Sequence, residues 1–139
     1  MKQFRFRFVW LSVVWMLALV TSSFAHAAVN DEIRKKIERF QINGRLVVAG
    51  EEIAARDILW NLYHENAHAP LWVKQSHIDD LISMVGRAEE EGLLPRDYHY
   101  QALSEIRQAG TSIPGAKADF DILLTDSLMR YIYHMFFGK

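Results

Sequence analysis

The chain has 139 residues, with 16 Lys and Arg against 17 Asp and Glu, and its formal net charge is −1 with histidine neutral. This balance argues against a nucleic-acid partner, which would need a basic patch or stripe. The chain contains no cysteine, which excludes disulfides, a lipid-modified cysteine and a thiol nucleophile.

The first 27 residues have the three regions of a secretory signal peptide. The basic start contains Lys2, Arg5 and Arg7, an apolar run covers residues 8–20, and Ala25-His26-Ala27 matches the cleavage pattern. The apolar run is shorter than the roughly 20 residues that a membrane-spanning helix needs, which disfavours the alternative of an uncleaved anchor. We therefore expect cleavage after Ala27, a mature domain of residues 28–139 in the periplasm, and membrane contact only during export. That domain keeps 13 basic and 17 acidic side chains, because the signal peptide removes three basic residues.

Apolar residues recur at helical spacing in five stretches of the mature sequence. They predict helices over residues 30–40, 51–66, 76–91, 97–108 and 116–137. Asn43-Gly44 is a strong turn signal between apolar residues and predicts one short β-hairpin near residues 41–48. The expected fold class is therefore mainly all-α, a small multi-helix orthogonal bundle to which this hairpin is added.

Several residues are typical of helix boundaries. Asn30 is expected to be the N-cap of the first helix, and Pro70 is expected to end the second. Ser76 and Asp79 have the spacing of a capping box at the start of the third helix. The loop between the last two helices is expected over residues 110–115, where two glycines and a proline cluster.

The third and last helices are expected to end differently. Glu89–Glu91 lie at the end of the third helix where the dipole disfavours acidic residues, so we expect them only to be solvated. Gly92 fits the left-handed C′ position, with Leu93 folding back onto the helix. Residues 131–137 of the last helix are strongly aromatic, which indicates either a deeply docked element or a chain that continues.

His64-Glu65-Asn66-Ala67-His68 matches the H-E-x-x-H pattern, which in zinc proteases places two imidazoles on one helix face with a glutamate as general base. If this segment is helical, both histidines lie opposite the core-facing stripe formed by Ala55, Ile58, Leu59 and Leu62. No third ligand is evident from the sequence, and Pro70 interrupts the helix. We therefore predict surface histidines, no metal and no cofactor, and keep His64 and His68 only as weak zinc candidates.

Trp60, Tyr63 and Trp72 form an aromatic group around the second helix. Such a group can line a sugar-binding platform, but large aromatic side chains more often pack in a core. We predict a core cluster.

Four segments follow one another in a specific order. They are Tyr63 followed by Pro70-Leu71-Trp72; the stretch from Ala88 to His99, with Gly92-Leu93, Pro95 and Asp97-Tyr98; Asp121-Ile122-Leu123-Leu124-Thr125-Asp126; and Tyr133-His134 through Gly138-Lys139. From about Glu51 onward, the chain thereby resembles the N-terminal scaffold domain of the large Gram-negative (YkuD-type) L,D-transpeptidases. These periplasmic enzymes form 3→3 cross-links in peptidoglycan. The chain departs from the family near Asn66, where arginine is common, and at Leu94, where aspartate is common.

The resemblance implies a structural role for the matching residues, which are Tyr63, Pro70, Leu71, Trp72, Gly92, Leu93, Pro95, Asp97, Tyr98, Asp121, Thr125 and Asp126. Family members continue into a catalytic domain with a histidine and a nucleophilic cysteine. This chain has no cysteine, so no catalytic residue can be assigned to it. The expected function is a non-catalytic periplasmic scaffold domain in cell-wall biogenesis, from a truncated or split L,D-transpeptidase.

The expected partner is a catalytic or peptidoglycan-binding protein domain, and Tyr131, Met135 and Phe136 are the candidate docking surface. Two other classes of function remain open. The first is a free-standing envelope module that binds peptidoglycan or a partner protein. The second, less favoured, is a small H-E-x-x-H zinc hydrolase.

Overall fold

The computed structural model describes residues 26–39 and 44–139. Helix α1 covers residues 26–39. The later elements are β1 (Val47–Val48), β2 (Glu51–Glu52), α2 (Arg56–Glu65), α3 (Gln75–Gly86), 3-10 helices at Ala88–Glu91 and Pro95–Tyr98, α4 (Tyr100–Ala109) and α5 (Pro114–Phe137). The predicted mainly helical fold class with one short antiparallel sheet is confirmed. Within the described ranges, no helix has the length and apolar character needed to cross a membrane.

Helix α5 is the centre of the fold. Every residue from Phe120 to Ser127 is buried, which means that the middle of α5 is enclosed on all sides. The helix contacts α2, α3, α4, β1 and the 3-10 helix Pro95–Tyr98. A helix that is covered all round must be surrounded by other elements, and here those elements contribute the core residues Val48, Leu59, Tyr63, Leu81, Val85, Tyr98 and Leu103.

The β-hairpin lies a few residues later than the sequence predicted. Val47 pairs with Glu52 and Val48 pairs with Glu51, so the turn is Ala49-Gly50 rather than Asn43-Gly44. Both turn residues have positive φ, 48° at Ala49 and 83° at Gly50, as the tight turns of two-residue hairpins require. Gly44 also has positive φ, but it precedes the hairpin. Asn43 lies outside the described residues.

The first helix begins earlier than predicted. Residues 26–29 are already helical, so Asn30 lies inside α1 and is not its N-cap. Ile33 and Ile37 are buried as expected, whereas Phe40 lies outside the described residues. So does the predicted signal peptide, apart from residues 26 and 27.

Helix α2 is shorter than the predicted helix over residues 51–66. Glu51 and Glu52 are in β2, and Ile58, expected in the core-facing stripe, is 50% exposed. The helix ends at Glu65 and is followed by Ala67 and His68 with positive φ. Pro70 therefore does not end this helix, because two left-handed residues have already turned the chain.

Helix α3 has the predicted core face but not the predicted cap. Its buried residues are Ile78, Leu81, Ile82 and Val85. Lys74 is the N-cap residue, and no side chain caps the helix. The capping box of Ser76 and Asp79 is therefore wrong; the Asp79 carboxylate instead accepts a hydrogen bond from Gln75 and pairs with Arg107.

The predicted helix over residues 76–91 is divided, because α3 ends at Gly86 and a separate 3-10 helix covers Ala88–Glu91. The residues that follow behave as predicted. Glu89–Glu91 are exposed, and Gly92 is left-handed with φ of 74°. The Leu93 amide donates back to the Ala88 carbonyl at 3.0 Å, and the Leu93 side chain is buried.

The predicted helix over residues 97–108 is divided in two by His99, whose φ is 57°. The last helix begins at Pro114, two residues earlier than predicted, because proline is favourable in a first helical turn.

Candidate functional site

Asp121 is the centre of a buried polar cluster that joins α5 to the segment after α2. The Tyr63 hydroxyl donates to its Oδ1 at 2.8 Å. The Leu71 amide donates to Oδ1 and the Trp72 amide to Oδ2, each at 3.0 Å. The Trp72 indole N–H donates to the Thr125 hydroxyl at 3.0 Å. We call these five residues the Asp121 cluster; they bring two of the four family-like segments together.

Burial governs the ionisation of this cluster. It raises the pKa of Asp121, although the amides of Leu71 and Trp72 and the Tyr63 hydroxyl act in the opposite direction. It also raises the pKa of Tyr63 well above its usual value. The donors to Asp121 are the Tyr63 hydroxyl and the amides of Leu71 and Trp72. The cluster therefore anchors the chain after α2, and the Tyr63 hydroxyl is already used as a hydrogen-bond donor within it.

Asp126 is the centre of a second polar cluster, one turn further along α5. Its Oδ1 accepts from the Ala54 and Ala55 amides at 3.0 and 2.7 Å, and thereby satisfies the backbone just before α2. Its Oδ2 lies 2.7 Å from His99 Nε2 and 2.6 Å from Arg130 Nε. The other ring nitrogen of His99 lies 2.9 Å from a Glu51 oxygen. We call Glu51, His99, Asp126 and Arg130 the Asp126 cluster.

The balance of forces at Asp126 differs from that at Asp121. Burial acts to raise the pKa of Asp126, but the hydrogen bonds from His99 and Ala55 and the charge of Arg130 hold it below its usual value. Arg130 also donates to the carbonyls of Glu52 and Asp97. The cluster therefore ties the hairpin, α2 and the 3-10 helix Pro95–Tyr98 to α5.

Sequence reasoning did not identify three members of the Asp126 cluster as site residues. They are Glu51, His99 and Arg130. Only the spacing of Asp126 and Arg130, four residues apart on one helix, carries a local signal of contact. The contacts of Glu51 and His99 span 48 and 27 residues, and no local pattern predicts them.

Further contacts hold the family-like residues around Tyr98. The backbone carbonyl of Tyr98 accepts a hydrogen bond from the Ser127 hydroxyl. The phenol hydroxyl of Tyr98 lies 2.9 Å from His134 Nδ1. Asp97 forms an ion pair with Lys139. Pro95 is in the first turn of the 3-10 helix that carries Asp97 and Tyr98.

The H-E-x-x-H segment does not have zinc-protease geometry. Helix α2 ends at Glu65, and His68 has a left-handed backbone, so His64 and His68 are not one helical turn apart. His64 is exposed and stacks on Trp60 with ring centroids 5.8 Å apart. His68 differs from the prediction because it is half-buried, and burial lowers its pKa. In the described part of the chain, no three metal-ligating side chains are grouped to hold an ion.

The predicted aromatic core cluster is present in part. Tyr63 is fully buried, whereas Trp60 and Trp72 are partly buried and pack against the core. A groove of about 270 Å³ runs beside Trp72 and is lined in part by Gln75, Lys117 and Phe120.

The candidate docking surface lies at the end of α5. Met135 and Phe136 are 47% and 79% exposed, while Tyr131 is half-buried and packs against the core. The surface also includes exposed residues that were not predicted, namely Ile132, Tyr133 and Phe137. Next to it, a groove of about 360 Å³ runs between α2 and α5 and is lined by Ala54, Ala55, Ile58, Met129, Arg130, Tyr133 and His134.

The family model described as Scaffold domain matches residues 57–139. This range is more than half of the chain and contains every family-like residue that the sequence analysis named. Neither a curated protein nor a solved structure matches the chain.

Proposed function

The chain belongs to the Scaffold domain family, as the sequence predicted, and we propose that it acts as a non-catalytic periplasmic scaffold in peptidoglycan L,D-transpeptidation. In this proposal, the domain docks a catalytic protein domain and takes no part in bond formation. The use of the family-like residues supports a structural role, because Tyr63, Trp72 and Asp121 use their polar atoms to hold α5 against the chain after α2.

The observation that carries the proposal is the apolar end of α5. Ile132 and Phe136 are one turn apart, and Tyr133 and Phe137 form a second such pair with ring centroids 5.1 Å apart. Exposed apolar side chains therefore occupy more than one side of the helix. Such contiguous patches on soluble proteins mark interaction sites, and a helix that is apolar on several sides needs cover from several directions. A folded protein domain provides that cover better than an extended glycan strand does.

The test is direct binding to a separately purified YkuD-type catalytic domain. We expect sedimentation velocity to show a complex, and we expect Phe136→Ser to weaken it by at least about tenfold, since exposed aromatic anchors commonly contribute more than about 1.4 kcal/mol. Val73→Ser is the matched control, because Val73 is also 79% exposed but lies between α2 and α3.

Two outcomes would count against this function. One is the absence of a complex at high concentrations of both proteins, and the other is an equal effect of the two serine substitutions. A covalent carbapenem adduct on this chain would also contradict the proposal, because acylation in this family needs a cysteine thiol and the chain has none.

The groove beside Trp72 favours a second candidate, an envelope module that binds peptidoglycan. Its lining combines aromatic faces with Gln75 and Lys117, and aromatic rings beside polar groups suit a carbohydrate or peptide ligand. Co-sedimentation with purified sacculi separates the two candidates. A scaffold for a catalytic domain stays in the supernatant, whereas a binding module is found with the sacculi and is released when Gln75→Ala and Lys117→Ala are combined.

A further inference from the structure

His99 is a buried histidine held between two carboxylates. Its side chain is 2% exposed. Nδ1 lies 2.9 Å from Oε2 of Glu51, and Nε2 lies 2.7 Å from Oδ2 of Asp126. Glu51 belongs to β2 of the hairpin and Asp126 to the middle of α5, so one imidazole ring connects two elements that are distant in the sequence.

The protonation of His99 follows from counting donors. Asp126 also accepts from Ala54, Ala55 and Arg130, so its oxygens act as acceptors and His99 Nε2 must donate to it. A neutral imidazole has one N–H, and an ionised carboxylate can only accept. With the proton at Nε2, the Nδ1 lone pair of a neutral ring would face the Glu51 oxygen. Only the imidazolium form gives both carboxylates a hydrogen bond.

The ring lies among charged side chains. Glu51 faces the ring from the hairpin and Asp126 faces it from α5, while Arg130 pairs with the same Asp126 oxygen that contacts the ring. Asp97, on the 3-10 helix just before His99, is paired with Lys139. Without a charge on His99, the Asp126 cluster has a net charge of −1, and a protonated ring makes it neutral.

The two carboxylates differ in their freedom to move. The Asp126 side chain is fully buried, whereas the Glu51 side chain is 39% exposed. Desolvating an unpaired charge is costly, so Asp126 keeps its partner and Glu51 can turn toward water. We propose that His99 is a protonation-dependent latch that fastens the hairpin to α5 when charged and releases Glu51 when neutral. This inference does not depend on the proposed scaffold function.

The test is hydrogen exchange at single amides of the full chain at about pH 5.5 and about pH 8. The reporting amide is that of Ile53, which donates to the Leu46 carbonyl beside the hairpin. Its protection factor, relative to an unstructured peptide at the same pH, should fall about tenfold at the higher pH, the factor expected for loss of one charge-assisted hydrogen bond. The Leu124 amide in α5 should change much less.

Glu51→Gln is the informative variant, because a glutamine side chain can accept from an imidazolium and donate to a neutral ring. We expect it to abolish the pH dependence at Ile53. Glu52→Gln is the matched control: Glu52 is the next residue of the same strand and pairs with Arg45, and this variant should keep the dependence.

Ring ¹⁵N chemical shifts of His99 provide a readout that does not depend on hairpin opening. We expect both nitrogens to be protonated at the lower pH and Nδ1 alone to lose its proton at the higher pH. A ring that keeps the same charge at both pH values would overturn the proposal. So would protection at Ile53 that stays constant while the ring titrates, a parallel loss at Leu124, or unchanged pH dependence in Glu51→Gln.

Discussion

Two carboxylates five residues apart on α5 show how burial and hydrogen bonding compete. Asp121 and Asp126 are both buried acceptors in polar clusters. The pKa of Asp121 is raised, because its donors are neutral and do not offset desolvation. The pKa of Asp126 is lowered, because His99 and Arg130 bring donors that carry or can carry positive charge. The difference follows from the charge of the partners.

Removal of the Asp121 carboxylate should be severely destabilising. Asp121→Ala leaves the Tyr63 hydroxyl and the Leu71 and Trp72 amides without their acceptor. Since each unsatisfied buried donor costs about 1–3 kcal/mol, we expect urea denaturation to show a free energy of unfolding lower by at least about 3 kcal/mol. The control, Asp80→Ala on the exposed face of α3, should stay within about 0.5 kcal/mol of the parent. Equal losses in both variants would refute this role of Asp121.

Asp126 should contribute to acid unfolding. Because its folded-state pKa is lowered, the stability that it provides is present above the unfolded pKa, near 3.9, and is lost as pH falls through the lower folded value. Asp121 acts in the opposite sense, because its pKa is raised. We therefore expect Asp126→Asn to lower stability at neutral pH and to flatten its decline below about pH 4. Asp80→Asn should keep the slope of the parent protein, and an unchanged slope in Asp126→Asn would contradict the assignment.

At the scale of elements, the sequence predicted what depends on local patterns. The helices and the buried face of α3 follow from apolar spacing, and the end at Gly92 follows from the need for a left-handed residue. The hairpin was misplaced because Asn43-Gly44 has the stronger local turn preference. Ala49-Gly50 forms the turn because Val48 and Ile53 on either side are buried, and that burial depends on distant elements. The same tertiary packing places Glu51 in a strand.

Two glycines should respond in opposite ways to the same substitution. Gly92 has φ of 74°, where a β-carbon is strained, so Gly92→Ala should lower the midpoint of thermal unfolding and cost about 1 kcal/mol. Gly115 lies in the first turn of α5, where an added β-carbon would have open space around it. Gly115→Ala should therefore stabilise the protein by about 0.5–1 kcal/mol. Destabilisation by both, or by neither, would show that backbone conformation does not decide the effect.

At the scale of the whole molecule, the order of the family-like segments predicted the family but not the contacts between them. Tyr63, Trp72 and Asp121 were identified as separate motif residues, and the structure shows that they bond to one another. The contacts of His99 with Glu51 and Asp126 could not be predicted, because they require the path of the whole chain. The turn of the chain after α2, which places His68 outside the helix, depends on two left-handed residues that no local rule predicts.

The exposed end of α5 should also govern the behaviour of the isolated chain. We expect concentration-dependent self-association in sedimentation equilibrium, because Phe136 and Phe137 are each more than three-quarters exposed and contiguous exposed apolar surface promotes association. Phe136→Ser should shift the distribution toward monomer without lowering the unfolding midpoint, and Val73→Ser should leave the distribution unchanged. A parent protein that stays monomeric at high concentration would exclude self-association through this surface.

The enclosure of α5 by earlier elements has a consequence for the order of folding. The bond between Tyr63 and Asp121 spans 58 residues, and the bond between Ala55 and Asp126 spans 71. Loop closure must precede the gain from such contacts, and this slows folding. A nascent chain that lacks residues 120–127 has no central helix on which the other elements can pack. We infer that the domain remains unfolded, and open to chaperones and proteases, until nearly all of it has been synthesised.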